Sequence, residues 1–388
     1  MVLAEDVRDM NGRRLLAAGT ALTEKGLQVL KTWGITDVGI DPAQERKEDD
    51  KAPPETEESG RETRELFESS GRRNPLMQEL FEQSLEVRET RPYDRFLPRH
   101  AETAVLDRGS LPRSAAAVAE MGEYAALPEV YHHILSVIND QYSSTIDISD
   151  AVTKDPSFTS RLLKLANSSF YALKNSVDTV SKAVSIIGTR QLGTLALGIS
   201  VSRSLFVMQN DDRSMIEFWR HSVATAIAAR TLAIFLKEKN TERFFIGGLL
   251  HDIGKPLLYS RQRDTVCHID DLCRAHGLNQ FTVEKNLLGF SHADVGREVC
   301  KRMSLPENLL AMITDHHDVA ASLRPFEAAV IHLADIIANG VKKGSSGEPF
   351  VPPLQPAAEE QLVLQPSAVA VVVRQVETHA EEISRIML

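Results

Sequence analysis

Cysteine is scarce in this chain: Cys267, Cys273 and Cys300 are the three among 388 residues. An odd count without CxxC spacing excludes a disulfide framework and a zinc-finger pattern, so reduced thiols are expected. Positive charge is not in excess either. Lys and Arg number 44 against 54 Asp and Glu, a net charge of -10. A broad nucleic-acid-binding face is therefore not expected. Long apolar runs are missing. The longest, near Leu192–Leu197, is far too short to span a bilayer. The opening MVLAEDVRDM has neither the basic start nor the apolar stretch of a signal peptide. No membrane association and a cytoplasmic location are the expectations. No repeat of fixed period and no heptad pattern occurs. What is present suits a globular core, with 43% hydrophobic and 25% charged residues. The length is enough for two or three domains.

Residues 1–42 read as a small α+β module. Short strands are expected at Val2–Arg8 and Arg14–Ala17, flanking the hairpin signal Asn11-Gly12. A helix should open near Thr23 and end at Gly34, followed by a strand at Ile35–Ile40. Residues 43–112 read as an acidic, polar linker, partly disordered: over 43–72 the run QERKEDDKAPPETEESGRETRELFESSGRR offers little apolar surface to bury, and over 75–107 the helical spacing of Met77, Leu80, Phe81 and Leu85 is broken by the prolines of RPYDRFLPRH. From 113 to 340 nearly everything reads as helix, in two halves, 113–210 and 211–340. Tyr131, Ile134, Leu135 and Ile138 make one apolar stripe, and Asp155-Pro156 opens another helix. Residues 341–388 read as a Pro/Gly/Ser-rich linker and a final amphipathic helix. The fold class is mainly α.

The chemistry concentrates in seven residues: His221, His251, Asp252, His292, His316, His317 and Asp335. All are metal-ligand types, and each lies in or beside an apolar helical segment. Buried imidazole and carboxylate must be satisfied, and a shared centre of two ions does so economically. Helical bundles build such sites from ligands on different helices. Imidazole with carboxylate suits iron, manganese, zinc or nickel. Asp252 can bridge two ions, and a pair ~3.5–4 Å apart can activate water and clamp a phosphoryl oxygen. Lys255, one turn past His251, is placed to steady a phosphate, or simply to complement a helix end. Ser291 is placed to cap the helix that His292 opens. Asn167 is expected to hydrogen-bond open backbone at a helix end.

The segments HSVATA, HDIGK, SHADVG, DHHD and HLADIIAN resemble the successive motifs of the HD phosphohydrolase superfamily. Upstream, LPEVYHHILSVIND, DPSFTSRLLKLANSSFY and SKAVSIIGTRQLGTLALG resemble the HDOD domain, an HD-related output domain of bacterial signalling proteins. The N-terminal LAEDVRDMNGRRLLAAGTALTEKGLQVLKTWGI is similar to a small module found ahead of HD-GYP phosphodiesterases. The resemblance implies a helical HDOD/HD-like bundle in which the seven residues hold metal. It adds Glu217, one turn before His221, as an extra ligand. The GYP element itself is absent, since VAASLRPFEAAV follows DHHD. Two functions follow from the resemblance. One is a signalling protein whose two-metal site hydrolyses a phosphoester, with Asp252 and Lys255 in the chemistry. The other is a non-catalytic interaction module with a vestigial or structural metal site. The expected partners are signalling proteins or a nucleotide-type ligand, with self-association open.

Overall fold

The computed structural model describes residues 7–8, 14–16, 54–90 except 72, and 111–387 except 113, 122–128, 141, 172–175, 208–212, 262 and 304. The chain divides into two compact units, Met1–Glu55 and Thr56–Leu388. In the first, β1 (Val7–Arg8) pairs antiparallel with β2 (Arg14–Leu16), Val7 opposite Leu16 and Arg8 opposite Arg14. The expected turn at Asn11-Gly12, the helix after Thr23 and the strand at Ile35–Ile40 lie outside the described residues.

The second unit begins inside the stretch read as linker. Two helices form there, α1 (Pro54–Leu66) and α2 (Pro75–Thr90). Leu66, Phe67, Leu76, Met77 and Leu80 are buried, so the linker expectation is corrected for this stretch. The average composition is polar, but a few apolar residues at helical spacing make one continuous face that docks. The rest of 43–112, namely 43–53 and 91–110, lies outside the described residues.

The helices of the next section are α3 (Ala115–Met121), α4 (Glu129–Asn139), α5 (Thr145–Thr153), α6 (Pro156–Ala166), α7 (Val180–Ile187) and α8 (Thr189–Val207). Their ends follow local chemistry. Ser144 and Asp147 form a capping box at α5. Asp155 caps α6 by accepting from Phe158 N, with Pro156 in the first turn. Asn167 closes α6 as expected. Its amide donates to Leu163 O (2.8 Å) and Val177 O (2.7 Å), and its Oδ1 accepts from Val177 N (2.7 Å).

The site-bearing section holds α9 (Arg213–Phe235), α10 (Glu242–Leu250), α11 (Lys255–Arg261), α12 (Arg263–His276), α13 (Gln280–Leu288), α14 (His292–Arg302), α15 (Glu307–Thr314) and α16 (Pro325–Val341). A short 3-10 turn at Val319–Ala321 precedes α16. Beyond it come α17 (Pro356–Gln361) and α18 (Ser367–Met387). Helix α9 is the hub: α10, α16 and α18 all pack on it. Ala224, Ala226, Ala228, Ala229 and Ala233 are fully buried along it, which lets neighbours approach closely.

Residues 341–388 carry the expected final helix, α18, but the stretch read as linker before it is packed into the unit, and that part of the expectation is corrected. Val369, Val372, Val373, Val376, Ala380 and Ile383 repeat at helical spacing and are buried. They seat α18 against α9 and α16 on one side and α2, α6 and α8 on the other. Ser169, just after α6, bonds His379 Nδ1 (2.8 Å) and Glu382 Oε2 (2.5 Å) on α18. The Pro/Gly/Ser-rich stretch before it is partly buried too, with Ser346, Glu348 and Val351 inside. No single described helix is long and apolar enough to cross a membrane.

Candidate metal centre

The seven residues singled out by type converge. His221 comes from α9, His251 and Asp252 from the turn after α10, and His292 from the first residue of α14. His316 and His317 follow α15, and Asp335 lies on α16. They form two groups, Asp252 with His292, His316 and His317, and His221 with His251 and Asp335. Within each group the ligand-type atoms lie within 4.8 Å of one another. The carboxylates join the groups. Asp252 Oδ2 is 3.3 Å from His251 Nε2, while Oδ1 is 3.2 Å from His292 Nε2 and 3.7 Å from His316 Nε2. Asp335 Oδ1 lies 3.0 Å from His221 Nε2 and 3.5 Å from His251 Nε2. His317 Nε2 is 3.0 Å from His292 Nε2.

Glycines bring these elements together. A Cβ on Gly248 would sit 2.7 Å from Thr225 O, so α10 rests directly on α9. One on Gly254 would sit 2.0 Å from His292 O and 2.7 Å from Gly296 N. The turn carrying His251 and Asp252 is therefore pressed against the start of α14. Ser291 caps that helix in a box with Asp294, which fixes His292 at its first position.

The imidazoles are oriented from behind. His251 Nδ1 lies 2.8 Å from Gly248 O, His316 Nδ1 3.0 Å from Ile313 O, and His292 Nδ1 2.6 Å from Glu284 Oε2. Each of these acceptors calls for an Nδ1–H donor, so in the neutral ring Nε2 carries the lone pair. Those lone pairs face carboxylate oxygens, an arrangement relieved by a proton on Nε2 or by a metal ion between the two. His251 Nε2, His316 Nε2 and Asp252 Oδ1 are buried and make no hydrogen bond. Orphaned nitrogen and oxygen atoms of this kind, in this donor set, fit divalent transition-metal ions.

The charges agree. Burial alone would raise both carboxyls, but His251 and Lys255 around Asp252, and His221 and His251 around Asp335, hold them well below the usual range. Burial opposes a charge on His251 and His292. Asp252 nevertheless pushes His251 up to about 10, and Glu284 with Asp252 pushes His292 up to about 9. Burial lowers His221 and His316, and burial with two neighbouring imidazoles lowers His317 further.

Two other residues were singled out. Lys255 belongs to the cluster: its Nζ is 2.8 Å from Asp252 Oδ2 and 3.2 Å from Ser346 O. Glu217 does not join either group; its carboxylate is 2.9 Å from Arg220 Nη1 on the same helix. Several supporting residues escaped the sequence reading. Glu284 is fully buried behind His292. Asn339 donates to Asp335 Oδ1 (2.9 Å) from one turn on. Ser346 and Glu348 come from the stretch that composition marked as linker. The eight-residue offset of Glu284 from His292 was the one signal available for it, and it crosses a helix break.

A buried imidazole and carboxylate cluster is thus assembled from several helices around one alanine-rich hub. The chain belongs to the HDOD domain family, whose profile matches residues 125–319. An uncharacterised protein of Treponema pallidum (strain Nichols) is 24% identical over 238 residues, 61% of this chain and 45% of that protein. The match thus spans less than half the length of that curated relative. Among solved structures, a candidate phosphohydrolase from Shewanella amazonensis SB2B superposes with a TM-score of 0.54 at 22% identity, covering 71% of this chain and 99% of the other. A candidate signal transduction protein from Marinobacter aquaeolei VT8 gives a TM-score of 0.54 at 19% identity, covering 84% and 68%. These likenesses show a common fold.

Proposed function

We propose that this HDOD protein acts in signal transduction and holds two divalent transition-metal ions in the cluster, and that the loaded centre hydrolyses phosphoesters. The observation that carries this reading is the orientation of His251, His292 and His316. Each spends Nδ1 on an acceptor behind it and turns Nε2 toward a carboxylate. Asp252, lying between the two groups, would be shared by the two ions; His292, His316 and His317 would hold one with it, and His221, His251 and Asp335 the other. Ions there would supply Lewis-acid polarisation of a phosphoryl oxygen and an acidified water nucleophile. Lys255 adds a fixed positive charge beside Asp252, where it can balance a phosphate oxygen. Glu284 holds the His292 ring in its ligating tautomer.

Metal content of chelator-free protein, read by inductively coupled plasma mass spectrometry beside an Asp252→Asn variant, tests the centre. About two equivalents, lost in the variant, are expected. Hydrolysis of bis-p-nitrophenyl phosphate and of nucleotide phosphodiesters then tests the chemistry. Under a tenth of an equivalent, after reconstitution with iron, manganese and zinc, would remove the enzyme reading.

One observation favours a second reading. Every candidate ligand is buried, with His317 at 7% the most exposed. A centre this closed suits an interaction module with a structural ion. Metal retained without turnover on any phosphoester would select it.

A further inference from the structure

Residues 342–348 cross the centre as a strap. The strap leaves α16 at Lys342, which has a left-handed backbone (φ 53°), and contains two more left-handed residues, Gly344 (φ 87°) and Gly347 (φ 90°). A Cβ on Gly344 would come within 2.3 Å of Glu217 O and His221 N, and one on Gly347 within 2.7 Å of Gln280 Nε2. The strap is therefore laid flat against α9 and the start of α13. Its hold is polar. Ser345 N donates to Glu217 O (2.9 Å), Ser346 O accepts from Lys255 Nζ (3.2 Å), and Ser346 Oγ bonds Asn339 Oδ1 (3.1 Å). The next apolar anchors are Pro349 and Val351, beyond the strap. A segment held by hydrogen bonds rather than apolar burial belongs to the low-stability end of local unfolding.

At the end of the strap the Glu348 side chain turns inward and is 1% exposed. Its two oxygens lie 3.1 and 3.2 Å from Gln280 N, the first residue of α13. Lys342 Nζ donates to Glu348 O (3.0 Å), and the charge of Lys255 acts on the carboxylate. Positive charge reaches this carboxylate from Lys255, which also pairs with Asp252. Burial and the nearby Arg88 and Arg274 bring the Lys342 ammonium down to about 8. Burial outweighs the help that Glu348 receives and pushes its carboxyl up to about 7. Helix-start N–H with flanking ammonium groups is the chemistry that binds phosphate.

We propose that the strap is a displaceable cover, and that the Glu348 carboxylate occupies the seat that a phosphate group of the ligand takes when the centre opens. The ligand class is a phosphate monoester or diester. Its phosphate meets Gln280 N and Lys255 as Glu348 swings out with the strap, which carries Lys342. This deepens the reading of the metal centre and rests on it for the ligand's further chemistry. It also reconciles a phosphoester site with ligands that are all buried.

The test uses the full chain, metal-loaded and metal-free, with inorganic phosphate as probe. Hydrogen exchange read by mass spectrometry should show phosphate speeding exchange at 342–350 and slowing it at the start of α13. Glu348→Gln keeps the shape and removes the charge. It should tighten phosphate binding about tenfold and speed removal of bound metal by a chelator by a similar factor. Unchanged exchange at 342–350 in wild-type protein, with saturating phosphate, overturns the proposal. So does a Glu348→Gln variant that folds but binds phosphate no more tightly. If the variant does not fold, the wild-type exchange data decide alone. The seat uses no metal ligand, so the metal-free arm separates outcomes. Protein without ions whose strap yields to phosphate keeps this proposal even where the metal-content test fails, so the two readings fall separately.

Discussion

Lys255 and Asp252 form a buried ion pair at 2.8 Å, each side chain 1% exposed. Removing the carboxylate should therefore do two separable things. The first is loss of metal, because Asp252 touches both ligand groups. The second is loss of stability in chelated protein, because Asp252→Ala leaves an ammonium in the interior without its counter-charge. Breaking such a pair costs about 3–5 kcal/mol. The imidazoles soften the second effect little. His251 owes its raised value to Asp252, so it discharges and becomes an ordinary buried neutral ring. Lys255 is held charged by the same carboxylate and has no such cheap alternative. Adding Lys255→Met should remove the cause. The double variant should recover most of the lost stability, since an apolar replacement for a buried pair is often neutral or better. It should recover none of the metal. Urea denaturation of the two single variants and the double, in chelator, gives the coupling energy; about 2 kcal/mol or more of recovery is expected. Metal content of the same set gives the other half, with Lys255→Met alone keeping its ions. The reasoning is refuted if Asp252→Ala and the double variant are equally destabilised, or if Lys255→Met loses metal as completely as Asp252→Ala.

Four more outcomes follow from the geometry. Ions and protons compete for the Nε2 atoms of His251 and His292, raised to about 10 and about 9, so ion binding near neutrality should release protons and weaken as pH falls; calorimetry in buffers of different ionisation enthalpy counts them. In chelated protein the raised His251 contributes stability that is complete below about 6.5 and is lost as pH rises through its folded value, about 10, which denaturation across that window would reveal. Glu284→Gln keeps the shape behind His292 but weakens its orienting bond, and should cost about 10–100-fold in metal affinity by competition with a chelator, with the fold intact by circular dichroism. Gly254→Ala drives a methyl into His292 O and Gly296 N, and should cost about 3 kcal/mol or more by urea denaturation, beyond ordinary overpacking, because backbone on both sides must move.

The ligand set was legible because its residue types are expensive to bury. Five histidines and two aspartates embedded in apolar helices have few uses, and their order along the chain matched a known series of motifs. The caps were legible for the same local reason: Asp155-Pro156, Ser291 and Asn167 act within a few residues of themselves. What escaped depended on averaging. Leu66 and Phe67 sit among so many acidic residues that composition hid their docking face, and the helical spacing of Met77 and Leu80 was outweighed by the prolines that follow. The strap was read as linker because Pro, Gly and Ser mark irregular backbone, and irregular backbone is not always outside. Gly344 and Gly347 serve there to press the chain onto two helices. Glu217 was placed by analogy with a helix position, but Arg220, one turn further on, engages its carboxylate.

The hub-and-clasp packing of α18 bears on how this protein is handled at the bench and on how it is inherited. The family profile ends at residue 319. A fragment cut to the matched residues 125–319 would retain six of the seven candidate ligands and lose Asp335. It would also lose the valine ridge of Val369, Val372, Val373 and Val376, leaving the alanine flank of α9 bare to water. Such a fragment should aggregate, and its silence in any assay would carry no information about the intact chain. The segment that the family profile matches is thus shorter than the segment that folds, and trimming to the first would discard the second.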